Sequence, residues 1–147
     1  MTRVEHTIAI GRPIDEVFDF ITDPLNDPVW LSSVLDVRAP QGPIAVGSEF
    51  VETMRFLGRR VEVTWRVTEY EPPVRSAAQA TASPVPVSGV FQLEPLAEGT
   101  NLTIVMETDA HGFFALAEPV FRRMARREIE ANAGHLKDLL EARAETG

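Results

Sequence analysis

Apolar and polar positions alternate through most of this chain, and the alternation gives way to a helical period near the start and again at the end. Val4, His6, Ile8 and Ile10 mark one face of a first strand. Gly11-Arg12 ends it. Pro13 then suits the first turn of a helix, where its missing N–H costs nothing, and Asp15 and Glu16 favour the positive end of the helix dipole. Val17, Phe18, Phe20 and Ile21 supply the buried side of this short helix, and Asp23-Pro24 stops it. Asp27-Pro28 punctuates a second helical piece carrying Val29, Trp30 and Leu31.

From Val34 the period becomes two. Val34–Arg38 reads as a short strand and Pro40-Gly42-Pro43 as a loop. Ser48 to Leu57 is a strand with Phe50, Glu52, Met54 and Phe56 on one face, followed by a tight turn at Gly58-Arg59. In Val61 to Tyr70 the faces separate cleanly, Val61, Val63, Trp65 and Val67 against Glu62, Thr64, Arg66 and Thr68. Glu71-Pro72-Pro73 ends that strand. Val74 to Ala82 is small and weakly patterned, and is assigned as a strand from its position. Val87 to Leu96 turns Val87, Gly89, Phe91 and Leu93 inward, and Leu102, Ile104 and Met106 mark the last strand. No helices intervene between these strands, so the pattern predicts an antiparallel meander.

Gly112 separates the sheet from Phe113-Phe114, and a closing helix runs from about Glu118 or Pro119 to Ala142. At about 100° per residue its apolar stripe is Ala117, Phe121, Met124, Ala125, Ala131, Leu136 and Leu139. The opposite face holds Arg122, Arg123, Arg126, Glu130, Lys137 and Glu141. An antiparallel sheet of this length closed by one helix tends to curl around it and leave an apolar hollow. The expected occupant is a hydrophobic small molecule.

Composition narrows the chemistry. The 147 residues fit a single domain spanning the whole chain. With no cysteine, disulfides, thiolate metal sites and cysteine nucleophiles are excluded. A net charge of −8 argues against a nucleic-acid partner. No apolar run is long enough to span a bilayer and Met1 to His6 lacks a signal-peptide pattern, so the expectation is a cytoplasmic protein without integral membrane association. The basic cluster Arg122-Arg123 and Arg126-Arg127 lies on the polar face of the last helix, where most such clusters are simply solvated. His6, His111 and His135 have no metal-ligand spacing, and neither a metal nor another cofactor is expected. A homodimer stays open.

Glu128, Asn132 and His135 interrupt the apolar stripe at helical spacing, and Glu52 interrupts an apolar strand face. A carboxylate in an apolar interior meets a partner or acquires a raised pKa, which general acid–base catalysis uses. Glu52, Glu128 and His135 are therefore the candidate catalytic groups; taken singly, each is more often a rim residue meeting water or a structural partner. The candidate ligand-binding residues are Trp30, Phe50, Met54, Trp65, Phe91, Met106, Phe121, Met124 and Asn132. Ordinary core packing would use the same apolar residues. No Gly-x-Ser-x-Gly, Walker loop or Gly-x-Gly-x-x-Gly occurs.

Val46-Gly47-Ser48-Glu49-Phe50, Gly58-Arg59-Arg60-Val61-Glu62-Val63-Thr64-Trp65, Tyr70-Glu71-Pro72-Pro73, Gly99-Thr100 and Leu136-Lys137-Asp138-Leu139-Leu140-Glu141 form an ordered set along the chain. As a set they resemble the polyketide cyclase/dehydrase and lipid-transport superfamily, the START-like (SRPBCC) group with the helix-grip fold. The resemblance implies an α+β fold: a curved antiparallel sheet of about seven strands wrapped around a long C-terminal helix, with a deep pocket near two short helices that follow the first strand. The family spans carriers, sensors and aromatase/cyclases and has no universal catalytic motif, so it carries no catalytic residue to this chain. Two functions follow as expectations: binding of a lipid-like or polyketide/aromatic ligand, or a cyclase/dehydratase in which Glu52, Glu128 or His135 moves protons and Asn132 or Trp65 holds a carbonyl oxygen. A third is a protein-binding module using the arginine cluster.

Overall fold

The computed structural model describes residues 2–39, 42–56, 58–109 and 118–146. Pro40, Leu57, His111, Gly112, Phe113, Phe114 and Ala117, named above, lie outside them. The elements are β1 (Thr2–Ile10), α1 (Ile14–Thr22), a 3-10 turn (Pro24–Asn26), α2 (Asp27–Trp30), β2 (Val34–Arg38), β3 (Glu49–Phe56), β4 (Arg59–Glu71), β5 (Arg75–Ala82), β6 (Val87–Leu96), β7 (Gly99–Thr108) and α3 (Glu118–Thr146). Among the described residues the strands form one seven-stranded sheet in the order β1-β7-β6-β5-β4-β3-β2. All its pairings are antiparallel. Strands two to seven form the predicted meander, and β1 closes against β7. The segment α1–α2 carries the chain from one edge of the sheet to the other.

The sheet is curled, and local irregularities help bend it. Register shifts fall between Val34 and Asp36 on β2 and at two points along β4, Thr64/Trp65 and Val67/Glu69. Extra residues of this kind bend a strand and increase its twist. The β6–β7 turn needs a glycine. Gly99 has φ +146°, and a Cβ there would stand 2.2 Å from the Ile10 carbonyl oxygen, so the turn closes directly on the end of β1. Thr100, fully buried beside it, donates from Oγ1 to the Arg12 carbonyl at 2.8 Å and fixes the β1–α1 connection.

α1 buries Val17, Phe18, Phe20 and Ile21, as the spacing predicts, against Leu93, Leu102 and Ile104 of the sheet and Leu136 and Leu140 of α3. The Asp23 side chain accepts from the Leu25 N–H at 3.0 Å and starts the 3-10 turn. In α3 the buried stripe differs from the sequence expectation. Ile129, Asn132, Ala133, Leu136 and Leu140 are buried, whereas Ala131 and Met124 are exposed. The stripe is rotated because the C-terminal half of α3 is pinned to β1. Lys137 Nζ donates to the Ala9 carbonyl and to Glu141 Oε2, both at 2.7 Å, and the Gly11 N–H donates to Glu141 Oε2 at 2.8 Å. The hydrogen bonds from Lys137, then from Gly11, hold the Glu141 carboxyl below its usual pKa. Lys137 and Glu141, expected on the far polar face, are thus half-buried clamps on β1.

The helix is consequently seated unevenly. Past Ile129 it is packed into the core, while Phe121 and Ala125 are only half-buried. Leu136→Ala should therefore lower the unfolding free energy by about 2–5 kcal/mol, as deletion of a fully buried leucine does, while Ala131→Ser should stay close to the parent. Urea unfolding checks this, and equal losses for the two variants would contradict the seating described.

Candidate functional site

Between the concave sheet and the N-terminal half of α3 lies a cavity of about 570 Å³. That volume is within the range of small-molecule sites, roughly 300–1,000 Å³. Strand alternation builds its walls. Phe50, Glu52, Met54 and Phe56 of β3, and Val61, Val63, Trp65 and Val67 of β4, project to the same side. Val87, Gly89 and Phe91 of β6 and Ile104 and Met106 of β7 continue the surface. Trp30 of α2 and Phe121, Met124, Ala125, Ile129 and Asn132 of α3 complete it. All nine residues expected to meet a ligand are on this wall, with Trp30 buried and Met124 exposed at the rim. The rings of Trp30 and Phe91 pack tilted at 5.9 Å, and Phe56 stacks on Phe121 at 6.1 Å.

A carboxyl pair stands in this apolar surface. Glu52, the polar break in β3, is 3% exposed, and Asp27, the first residue of α2, is 8% exposed. Asp27 precedes Trp30 by one helical turn, so both point to the buried side of α2. The two carboxyls lie close enough to act on one another, and a proton on either could bridge them. Burial, then the hydrogen bond and charge of Glu52, push the Asp27 carboxyl far above the usual carboxylate range; Asp23 adds a smaller push. Burial raises Glu52 too, opposed by the hydrogen bond from Asp27 and by the Trp65 indole. Burial raises both carboxyls, so the pair holds at least one proton near neutral pH. No cation pairs with either carboxyl among the described residues.

Among the described residues Glu52 Oε2 has no hydrogen-bond partner. The Trp65 N–H leans toward Glu52 closely enough to stabilise its charge while falling short of full hydrogen-bond geometry. Trp65 sits diagonally across the β3–β4 pair from Glu52, since Phe50 is opposite Trp65 and Glu52 opposite Val63. Among the described residues Trp30 Nε1 is buried without a partner.

The polar residues of α3 have a different surrounding. The Ser32 N–H donates to Asn132 Oδ1 at 3.2 Å and the Ser32 hydroxyl to Glu128 Oε1 at 3.3 Å. Glu128 and Asn132 thereby tie the α2–β2 loop to α3, and both border the cavity. His135 is exposed and stands away from the cavity wall. Asp27 and Ser32 are additions that the sequence pattern does not single out. The spacing of Asp27 to Trp30 is a usable signal, but next to Pro28 the residue reads as helix punctuation; Ser32 has no sequence signal. Among the described residues no group of His, Asp or Glu is arranged to hold a metal, and no helix is long and apolar enough to cross a membrane.

Comparison with known proteins places this geometry. Residues 1–141 match the family model described as polyketide cyclase/dehydrase and lipid transport. No curated protein matches the chain. Among solved structures, TTHA0849 from Thermus thermophilus superposes with a TM-score of 0.81 at 14% identity, covering 95% of this chain and 97% of that one. A START superfamily protein from Mycobacterium smegmatis gives 0.77 at 14% identity, covering 97% and 99%. The di-domain ARO/CYC BexL from the BE-7585A biosynthetic pathway gives 0.76 at 22% identity, over 96% of this chain and 47% of BexL. This chain is thus similar to about half of that protein, and the likeness to all three is one of fold.

The carboxyl pair has a signed consequence for stability. Both groups bind protons more tightly when folded, so their contribution is complete below about pH 4 and declines as pH rises through neutrality toward the raised pKa of Asp27. Asp27→Asn keeps a donor for Glu52 and removes the Asp27 share of the proton uptake. Urea midpoints measured from about pH 4 to pH 9 should fall more steeply for the parent than for the variant. Parallel slopes would rule out a shared proton.

Proposed function

The chain belongs to the polyketide cyclase/dehydrase and lipid-transport family, and from that premise we propose that it binds a hydrophobic small molecule, lipid-like or polyketide/aromatic, in the cavity between sheet and C-terminal helix. The observation that carries this reading is a 570 Å³ hollow walled mainly by apolar side chains, with the Asp27–Glu52 carboxyl pair buried in its wall. An aromatic guest burying about 250 Å² gains roughly 6 kcal/mol from apolar burial. A hydrogen bond to a charged or polarised carboxyl adds about 1.5–3 kcal/mol. Burial therefore dominates affinity, and the Asp27–Glu52 pair dominates orientation. A carbonyl or hydroxyl on an otherwise apolar skeleton is the complement of such a site.

A second reading, a cyclase/dehydratase, draws support from the same pair. Glu52 is placed to take a proton from carbon next to a carbonyl, and Asp27 to deliver one to the oxygen that leaves as water. The two roles need one carboxylate and one carboxylic acid, and the raised pKa values of a close buried pair support such a division. Glu128 is occupied by Ser32 and His135 stands outside the cavity, so this reading uses Asp27 and Glu52 in their place.

Gly89 provides the test of binding. A Cβ at this position meets only the Val105 carbonyl oxygen, at an ordinary 3.8 Å, so Gly89→Leu can fill the hollow with the backbone undisturbed. Fluorescence titration with an apolar naphthalene probe should show saturable uptake by the parent and at least about tenfold weaker uptake by the variant. Absence of uptake by the parent would refute the binding reading. For the enzymatic reading, Glu52→Gln should slow conversion of a poly-β-carbonyl substrate by about 10²–10⁴-fold with binding retained. Unchanged turnover would remove that reading and leave the first intact.

A further inference from the structure

The arginines of this acidic chain are unevenly placed. Of its 14 Lys and Arg residues, three flank the β3–β4 turn (Arg55, Arg59 and Arg60) and four lie on the first turns of α3 (Arg122, Arg123, Arg126 and Arg127). The Phe56–Phe121 stack brings the two groups together, because Phe56 ends β3 beside Arg55 and pairs with Arg59, while Phe121 adjoins Arg122. Half of the basic side chains in a protein of net charge −8 thus lie on the two segments that this stack joins, where Arg55 and Met124 border the rim of the cavity.

Two features distinguish this rim from an ordinary solvated face. Arg55 and Arg60 stand directly opposite each other across the β3–β4 pair, an arrangement of like charges that destabilises the hairpin. Arg55, Arg59, Arg60, Arg123, Arg126 and Arg127 are exposed, and none has an ion-pair partner among the described residues. Two large apolar side chains, Val120 at 61% and Met124 at 56% exposure, lie among the helix arginines one turn apart. Exposed apolar groups interleaved with arginine match the boundary between acyl chains and anionic headgroups, where each basic residue is worth about 1 kcal/mol. An acidic protein surface would use the charges and leave Val120 and Met124 unexplained.

We propose that this rim is a peripheral docking surface for an anionic lipid bilayer, with the arginines on the headgroups and Val120 and Met124 at the acyl boundary. Docking there presents the mouth of the cavity to the membrane, the phase in which an apolar ligand is most concentrated. The surface stands independently of what the cavity holds, and so does its test.

The full chain is mixed with vesicles of equal parts phosphatidylglycerol and phosphatidylcholine, or of phosphatidylcholine alone, and recovered by flotation at low and at high salt. Retention should require phosphatidylglycerol and be released as salt shortens the reach of the charges. Arg123→Gln with Arg127→Gln removes two charges and should weaken partitioning by roughly 25-fold, at about fivefold per charge. Val120→Ser should weaken it as well, whereas an acidic protein partner would tolerate Val120→Ser and ignore the vesicles. Circular dichroism and thermal midpoints should match the parent, since these side chains are exposed. Failure of the parent to float with the anionic vesicles, equal flotation with neutral ones, or flotation undiminished in the double variant would overturn the proposal.

Discussion

The unequal seating of α3 is the constraint on which the rest of this structure depends. Its C-terminal half has small and branched side chains facing the core, Ala133, Leu136 and Leu140, and is held laterally by Lys137 and Glu141 on the end of β1. Its N-terminal half contributes Phe121, Ala125 and Ile129 to a space that the sheet does not fill. A helix seated along its whole length would leave no hollow. One anchored at a single end makes the hollow a consequence of geometry.

The curled sheet does the complementary work. Register shifts in the β2–β3 and β4–β5 pairs help curl it, and the small residues of β5 and β6, Ala77, Ala78 and Gly89, keep the floor low where larger side chains would fill it. The β3 wall admits a buried carboxyl at Glu52. Glu52 is tolerated there because burial beside Asp27 raises both carboxyls, so the pair is spared carrying two charges. The short α2 segment is held in turn by Ser32, through Asn132 and Glu128 of α3. The helix that opens the cavity also positions the acid that gives it chemistry.

Much of this is legible in the sequence where the signal is local. The alternation through Phe50, Glu52, Met54 and Phe56, and through Val61, Val63, Trp65 and Val67, fixes which side chains share a face, and the structure puts both sets on the cavity wall. Glu52 stands out as a carboxylate in an apolar row. Its partner does not, because Asp27 lies 25 residues away in the chain and beside Pro28 has an adequate local explanation. The α3 face escapes its own periodicity for a related reason. Ala131 and His135 fit one helical stripe as well as Ile129 and Ala133 fit another, and the choice between them is made by β1, through contacts with Lys137 and Glu141 that no local period encodes. The weakly patterned Arg75–Ala82 strand is sustained by its neighbours β4 and β6 on either side.

The most direct measurement of the two-ended helix is methyl NMR on the labelled protein during titration with a neutral aromatic ketone. The account predicts shifts concentrated on Val63, Val67, Ile104 and Ile129, which border the hollow, with Leu136 and Leu140 unmoved in the packed end. Shifts spread equally over both groups, or none at saturating guest, would contradict it.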